Sequence, residues 1–276
     1  MTVLTNRAAS SRHGGVLSDS LVVTWRTLKR IPRIPELALF AILQSVMFVL
    51  LFAYVFGGAI QIEGGASGYR EFLMPGIFAQ TIAFASATVA IGVTDDMAKG
   101  IVDRFRSLPM ARSAYLTGRT VSEILYQAGI LVVLMLTGLA VGWRVRGGFV
   151  DFLLGVGLLL LFTYAMAWIG VWLGQLVRTV EVGQQVTFTV VFPITFVSNV
   201  FVPPDSLPAV LQPIAEWNPI STLASATREL WGNPNPYVSA EGFPAQHPAL
   251  LTVLWMVAII AVFAPLGVAR YRRTSR

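Results

Sequence analysis

Six apolar runs, each about the length that a helix needs to cross a hydrocarbon core, leave this chain little choice but a membrane bundle. They are Leu37–Gly57, Phe72–Thr94, Ile124–Trp143, Phe152–Leu173, Val186–Val202 and Leu250–Val268. The fifth is the shortest and contains Pro193, whose missing N–H frees a backbone carbonyl that neighbouring helices or water must satisfy. Charge is correspondingly scarce: 12% of residues, against about 25% in a soluble domain. The absence of cysteine excludes disulfides, thiolate nucleophiles and Cys-ligated metals. The expected fold is all-α and polytopic, with six transmembrane helices.

Lysine and arginine set the orientation. Sixteen of the twenty fall in the N-terminal segment, the connections after spans two and four, and the C-terminal tail. Arg70, Arg144, Arg146 and Arg228 fall in the others. Both termini are therefore expected in the cytoplasm, with residues 1–36 a cytoplasmic segment, 37–269 the six-span domain and 270–276 a basic tail. No apolar signal core precedes the first run, so that run is expected to insert and stay. Tyr69, Trp143, Phe149, Trp217 and Trp231 gather at the outer boundary, and Trp25, Tyr115 and Tyr271 at the inner one, as an aromatic belt would.

Two segments beside the spans have helical spacing. Leu17, Leu21, Trp25 and Leu28 form an apolar stripe flanked by Arg26, Lys29, Arg30 and Arg33, the pattern of an N-terminal interfacial helix on lipid phosphates. Residues 203–248 form an extracytoplasmic connection with room for a re-entrant helical hairpin. Asp205 or Ser206 would cap "LPAVLQPIAEW", and Asn218–Pro219 would cap and open "PISTLASATRELW". Gly138/Gly142 and Gly170/Gly174, with Gly155 and Gly157, are expected to bring helices close within the chain.

No chemistry of its own is visible. Neither Lys29 nor Lys99 has the glycine and Ser/Thr neighbours of a Walker A loop. The spans as drawn hold no Asp, Glu, Lys, Arg or His, which disfavours ion coupling. Asp95-Asp96 lacks the third carboxylate of an Asp-rich magnesium site, and no hydrolase motif is present.

The scarce charge concentrates in "DDMAKGIVDRFRSLPMAR", Asp95–Arg112. Met97, Ile101, Phe105 and Leu108 form one stripe, and Asp96, Lys99, Asp103 and Arg106 another, until Pro109 ends the helix. Such a helix can dock in a groove on a soluble partner, apolar side chains anchoring and charges orienting. "KGIVDRFRSLPMARSAYLTGR" (Lys99–Arg119) resembles the signature after the second span of ABC type-2 transport permeases of the daunorubicin-resistance kind, through Lys99, Gly100, Arg104, Leu108, Pro109, Arg112, Gly118 and Arg119. "SNVFVPPDSLPAVLQPIAEWNPIS" (Ser198–Ser221) resembles the same family around its fifth span.

The resemblance implies a membrane subunit, in the bacterial cytoplasmic membrane, of an exporter of hydrophobic or amphipathic substrates such as drugs, antibiotics or lipids. Two permease copies or paralogues would pair with two ABC ATPase subunits, which bind ATP and Mg; this chain would hold no cofactor and no nucleic acid. The 95–119 connection would couple to the ATPase, with Asp96, Lys99, Gly100, Arg104, Phe105, Arg106, Leu108 and Pro109 as its contact residues. Thr195, Ser198 and Asn199 are candidates for the substrate path. A gradient-driven carrier or channel, and a non-conducting scaffold for an ATPase, are the alternatives.

Overall fold

The structure, a computed structural model, describes residues 16–29, 35–56, 65–102, 104, 114–203, 207–235 and 242–273. All regular structure among them is helical. In chain order the helices are α1 (Val16–Leu28), α2 (Pro35–Leu50, continued by a π-helical segment Leu51–Phe56), α3 (Gly65–Ala83), α4 (Ala85–Ala98), α5 (Ala114–Val141), α6 (Phe149–Gly174), α7 (Val180–Phe196), α8 (Gln212–Trp217), α9 (Pro219–Trp231), α10 (Phe243–Gln246) and α11 (Pro248–Arg273). The end that holds Lys99, Tyr115 and Tyr271 is termed the base, and the end that holds Trp143 and Trp231 the crown.

Four segments are long and apolar enough to cross a membrane: α3–α4 together, α5, α6 and α11. The six expected spans are thus met by four of full length, while α2 and α7 are 16 and 17 residues. The second span bends at Phe84. There Thr81 and Ser86 turn their hydroxyls back onto the carbonyls of Ile77 and Ala83, and the Phe84 N–H reaches Gln80 O at 3.3 Å. Such back-bonds compete with the helical ladder and bend it.

The small residues act within the chain. α4 and α6 meet where a Cβ on Gly170 would lie 2.4 Å from Ser86 O, and one on Gly174 2.6 Å from Ala90 O. The Thr94 hydroxyl donates to Gly174 O at 3.0 Å across the same contact. Around this seam Val89, Val93, Trp168 and Val171 form the apolar core of the base. α1 docks on α5 through Val23, Ser20 and Thr24, at a glycine, Gly118, that leaves no room for a Cβ. Leu21, Val22 and Trp25 face outward, with the Lys29 ammonium 5.0 Å from the Trp25 ring, so part of the predicted stripe points away from the bundle.

The fifth span departs from expectation. α7 begins six residues earlier than Val186 and ends at Phe196, after which the chain folds back as a non-helical turn through Pro203. Pro193 lies inside the helix, where it removes one ladder bond and crowds the preceding turn, and the helix runs on past it until Val197 N closes the last bond on Pro193 O at 2.9 Å. The turn is buried: Ser198, Asn199 and Val200 are almost wholly enclosed. Its backbone groups are met by one face of α9. The Asn218 amide donates to Ile194 O (2.7 Å) and Val197 O (3.2 Å) while its oxygen caps α9 at Ile220 N, as the Asn218–Pro219 pair predicted. The Ser221 hydroxyl accepts from Asn199 N, and Ser225 from the Asn199 side chain. The Arg228 guanidinium donates to Asn199 O, Val200 O and Phe72 O. It also stacks 3.8 Å from the Phe72 ring centroid. Gly76 makes this approach possible, since a Cβ there would sit 2.7 Å from Val200 O.

Four expectations change accordingly. Charge does enter the bundle: Arg228 is fully buried, and Glu71, Arg119 and Glu123 nearly so. A helix over 207–217 shrinks to the six residues of α8, and the proposed caps Asp205 and Ser206 lie outside the described residues. α9, expected as part of the extracytoplasmic connection 203–248, is packed against α3, α6 and α11 and belongs to the core. Much of the expected belt is internal, because Trp143 and Trp231 pack edge-on against Phe78 and each indole N–H finds an acceptor, Asn233 Oδ1 and Phe152 O. Tyr69, Tyr115 and Tyr271 are buried as well, whereas Trp25, Phe149 and Trp217 are exposed.

Two substitutions test this packing by thermal unfolding of the solubilised protein. Gly174→Val should cost about 1–3 kcal/mol by overpacking, while Gly157→Ala, with open space around it, leaves the melting temperature nearly unchanged. Arg228→Leu, which strips the donor from three buried carbonyls, should cost at least about 3 kcal/mol.

Candidate functional site

Two places combine charge or polarity with access: the base, where α4 leaves the bundle, and a cleft along its side. At the base, α4 ends on Lys99, and Gly100 adopts the left-handed backbone (φ +63°) that stops a helix with little penalty for glycine. Ile101, Val102 and Arg104 are helical again, with Arg104 N donating to Gly100 O at 3.1 Å. The predicted single helix is therefore two pieces, and Met97 and Ile101 stand on either side of a break. Val102 is buried in the base core and anchors the second piece.

The charged stripe splits in the same way. Lys99 is exposed and pairs with Asp95 at 2.7 Å, one turn back. Asp96 turns inward, 4% exposed, and accepts from the Tyr115 hydroxyl at 3.0 Å. Tyr115 stacks on Tyr271 of α11, 5.9 Å between centroids, so Asp96 ties α4 to α5 and α11. Arg119 donates to Thr88 O at 3.3 Å across Gly92, where any Cβ would overlap its guanidinium. Lys99, Gly100 and Arg104 are thus the accessible members of the predicted contact set, and Asp96 is internal. Phe105, Arg106, Leu108 and Pro109 lie outside the described residues, as does Arg112.

The cleft has a volume of about 310 Å³ and runs between α2, α3–α4, α5 and α7. Phe84 at the bend and Phe188 of α7 both line it, 5.4 Å between ring centroids. Phe48, Tyr126 and Phe192 add aromatic surface, and Gln44, Gln80, Gln127 and Gln184 bring one amide from each wall. Of these residues the sequence reading weighed only Gln44 and Gln80, as amides that more often bond a neighbouring helix than a substrate, and passed over the rest. Four glutamines in or beside apolar helices were the available signal, since an amide facing lipid is costly. The substrate-path candidates lie elsewhere. Thr195 is in the last turn of α7 and Ser198 and Asn199 belong to the crown turn, bonded to Val191 O, Thr195 O and Ser225 respectively, and none lines the cleft.

Residues 19–230 match the ABC-2 type transporter family. The chain belongs to that family. It is 30% identical over 259 residues to the daunorubicin resistance ABC transporter permease protein DrrB1 of Streptomyces coeruleorubidus, covering 94% of this chain and 88% of that protein. It is 25% identical over 266 residues to the probable doxorubicin resistance ABC transporter permease protein DrrC of Mycobacterium tuberculosis, covering 94% and 90%. As an ABC-2 permease it is a multi-pass membrane subunit, and the ATPase of such transporters is a separate polypeptide. The resemblance carried by Lys99–Arg119 and Ser198–Ser221 therefore led to the right family, and the second block contains the crown turn and the start of α9 that receives it.

The Asp96–Tyr115 bond yields a prediction. Tyr115→Phe deprives the buried carboxylate of a donor and should lower stability by about 1–3 kcal/mol in thermal unfolding. Asp96→Asn, which still accepts from Tyr115, should lose less.

Proposed function

We propose that this permease forms the membrane part of an ATP-driven exporter, moving hydrophobic or amphipathic molecules of drug, antibiotic or lipid type out of the cytoplasm or inner leaflet. The observation that carries the reading is family identity running through nearly the whole chain to proteins named for daunorubicin and doxorubicin resistance. Two copies, or one copy and a paralogue, pair with two ABC ATPase subunits that bind ATP and Mg. The base faces the cytoplasm, in keeping with where the lysines and arginines fall, and residues 95–119 receive the ATPase. Lys99 and Arg104 orient that contact, Gly100 sets the angle at which the segment leaves α4, and Phe105 and Leu108 anchor it.

In this reading α2 and α7 complete six spans, and α8–α9 form the re-entrant hairpin of the crown, α9 being the half that inserts among the spans. α1 lies on the inner leaflet, with Leu21, Val22 and Trp25 in the headgroup layer. Arg26, Lys29 and the 270–276 tail meet anionic lipid there.

Co-purification from membranes tests the proposal. A Walker-containing subunit should appear with the permease in about a one-to-one ratio. Phe105→Ala should weaken that association by at least about 2 kcal/mol, as truncating an anchor does, while the protein still reaches the membrane. A transport-active permease with no ATPase bound would instead favour the gradient-driven carrier.

A further inference from the structure

The crown contains a second, much smaller opening, bounded by the turn after α7 and by α8, α9 and α10. Its volume is about 10 Å³, room for one water-sized species. Asn199, Glu216, Ser221, Thr222 and Ser225 line it. All of these except the half-buried Glu216 are more than nine-tenths enclosed.

Two bonds to α9 fix Asn199. Its backbone N–H donates to Ser221 Oγ at 3.0 Å, and its side-chain nitrogen donates to Ser225 Oγ at 2.7 Å. With the nitrogen end of the amide held on Ser225, the oxygen end is left over. Asn199 Oδ1 is buried and has no hydrogen-bond partner among the described residues. A buried acceptor without a donor is costly, and a native structure keeps one only for a reason.

The rest of the lining offers lone pairs and few hydrogens. Thr222 spends its hydroxyl proton on Pro219 O at 3.0 Å. Each serine oxygen accepts one bond from Asn199 and retains a second lone pair, and an ionised Glu216 can only accept. A water donates to two such oxygens at most, whereas a cation draws on all five. Oxygen ligands select a hard cation, and a single carboxylate matches a single positive charge. Magnesium keeps several waters for which there is no room, and calcium takes six to eight oxygens. The small volume favours sodium over the larger potassium ion. Backbone that unwinds inside a bundle beside the end of another helix is also where membrane proteins hold sodium. Arg228 bonds the Asn199 and Val200 carbonyls from the same face of α9, and its positive charge keeps the affinity modest and makes the Glu216 carboxylate necessary.

We propose that the crown binds a sodium ion, with Asn199 Oδ1, the Glu216 carboxylate and the hydroxyl oxygens of Ser221, Thr222 and Ser225 as its ligands. The ion ties α8 and α9 to the turn that follows α7. The site is separate from the side cleft and involves neither cargo nor ATPase.

The test is thermal unfolding of the full chain in detergent, in sodium, potassium and choline chloride at equal ionic strength, with the sodium NMR linewidth as a direct readout of binding. Sodium at about ten times its dissociation constant should raise the melting temperature by about 2–4 °C over choline, and potassium by less. Glu216→Gln, which keeps the size of a half-buried side chain, should remove both the sodium shift and the line broadening. Asn199→Leu should do the same, and Asn199→Asp, which adds a charge to the ligand set, should enlarge both. If the leucine variant does not fold, Glu216→Gln and Asn199→Asp decide. Equal melting temperatures in the three salts would mean that water alone fills the opening and would overturn the proposal. So would a sodium shift that survives Glu216→Gln, or stabilisation by calcium in place of sodium. Because no ATPase takes part, a failure here is separate from a failure of the exporter reading, which the co-purification decides.

Discussion

Backbone that is not helical cannot be left unbonded inside an apolar bundle, and this constraint governs the crown. The chain reversal after Phe196 exposes carbonyls and amides from Ile194 to Val200 where little water is available to meet them. Asn218, Ser221, Ser225 and Arg228 lie on one face of α9, at intervals of three, four and three residues, and bond that stretch in order. Burying a guanidinium is expensive unless its donors are occupied. Here three carbonyls and the face of Phe72 receive it. The far end of α9 is tied down too, since Trp231 O accepts from Arg146 N and the Arg146 side chain forms a two-pronged pair with Glu71, which raises the guanidinium pKa above its ordinary value.

The base is built differently. Close helix contact replaces backbone repair: Gly92, Gly118, Gly170 and Gly174 admit neighbouring atoms that a side chain would exclude. The result is a tight seam of α4 on α6 from which the segment after Lys99 emerges at a glycine-made turn. Asp96, Tyr115 and Tyr271 join three helices directly beneath that exit. Phe84, where α3 passes into α4, lines the cleft, and α4 runs on from there to the base.

Legibility in the sequence followed the kind of physics involved. Most of the long apolar runs, the helix start at Asn218–Pro219 and the close-packed Gly138, Gly155, Gly170 and Gly174 are local signals met where expected, whereas Gly157 has open space around it, Gly142 sits in a left-handed turn and the fifth run stops early. The positions of Trp143 and Trp231 were misread, because an amphipathic ring suits either a headgroup layer or a core that offers its N–H an acceptor. The stripe Asn218, Ser221, Ser225 and Arg228 was visible as spacing, yet its meaning required knowing which broken backbone lay opposite.

What the sequence determined by itself was the class of molecule: an all-helical membrane chain of the ABC-2 type, with its charge gathered after the second span. Hydrophobicity and family blocks are properties of contiguous residues, so they survive without coordinates. Only the tertiary structure decided which charges are buried, where the fifth helix stops, that Gly100 divides the charged segment, and that a cleft lies between α2, α3–α4, α5 and α7. Those features depend on partners tens to more than a hundred residues apart, such as Arg228 with Phe72, and no local pattern encodes a bond across that distance.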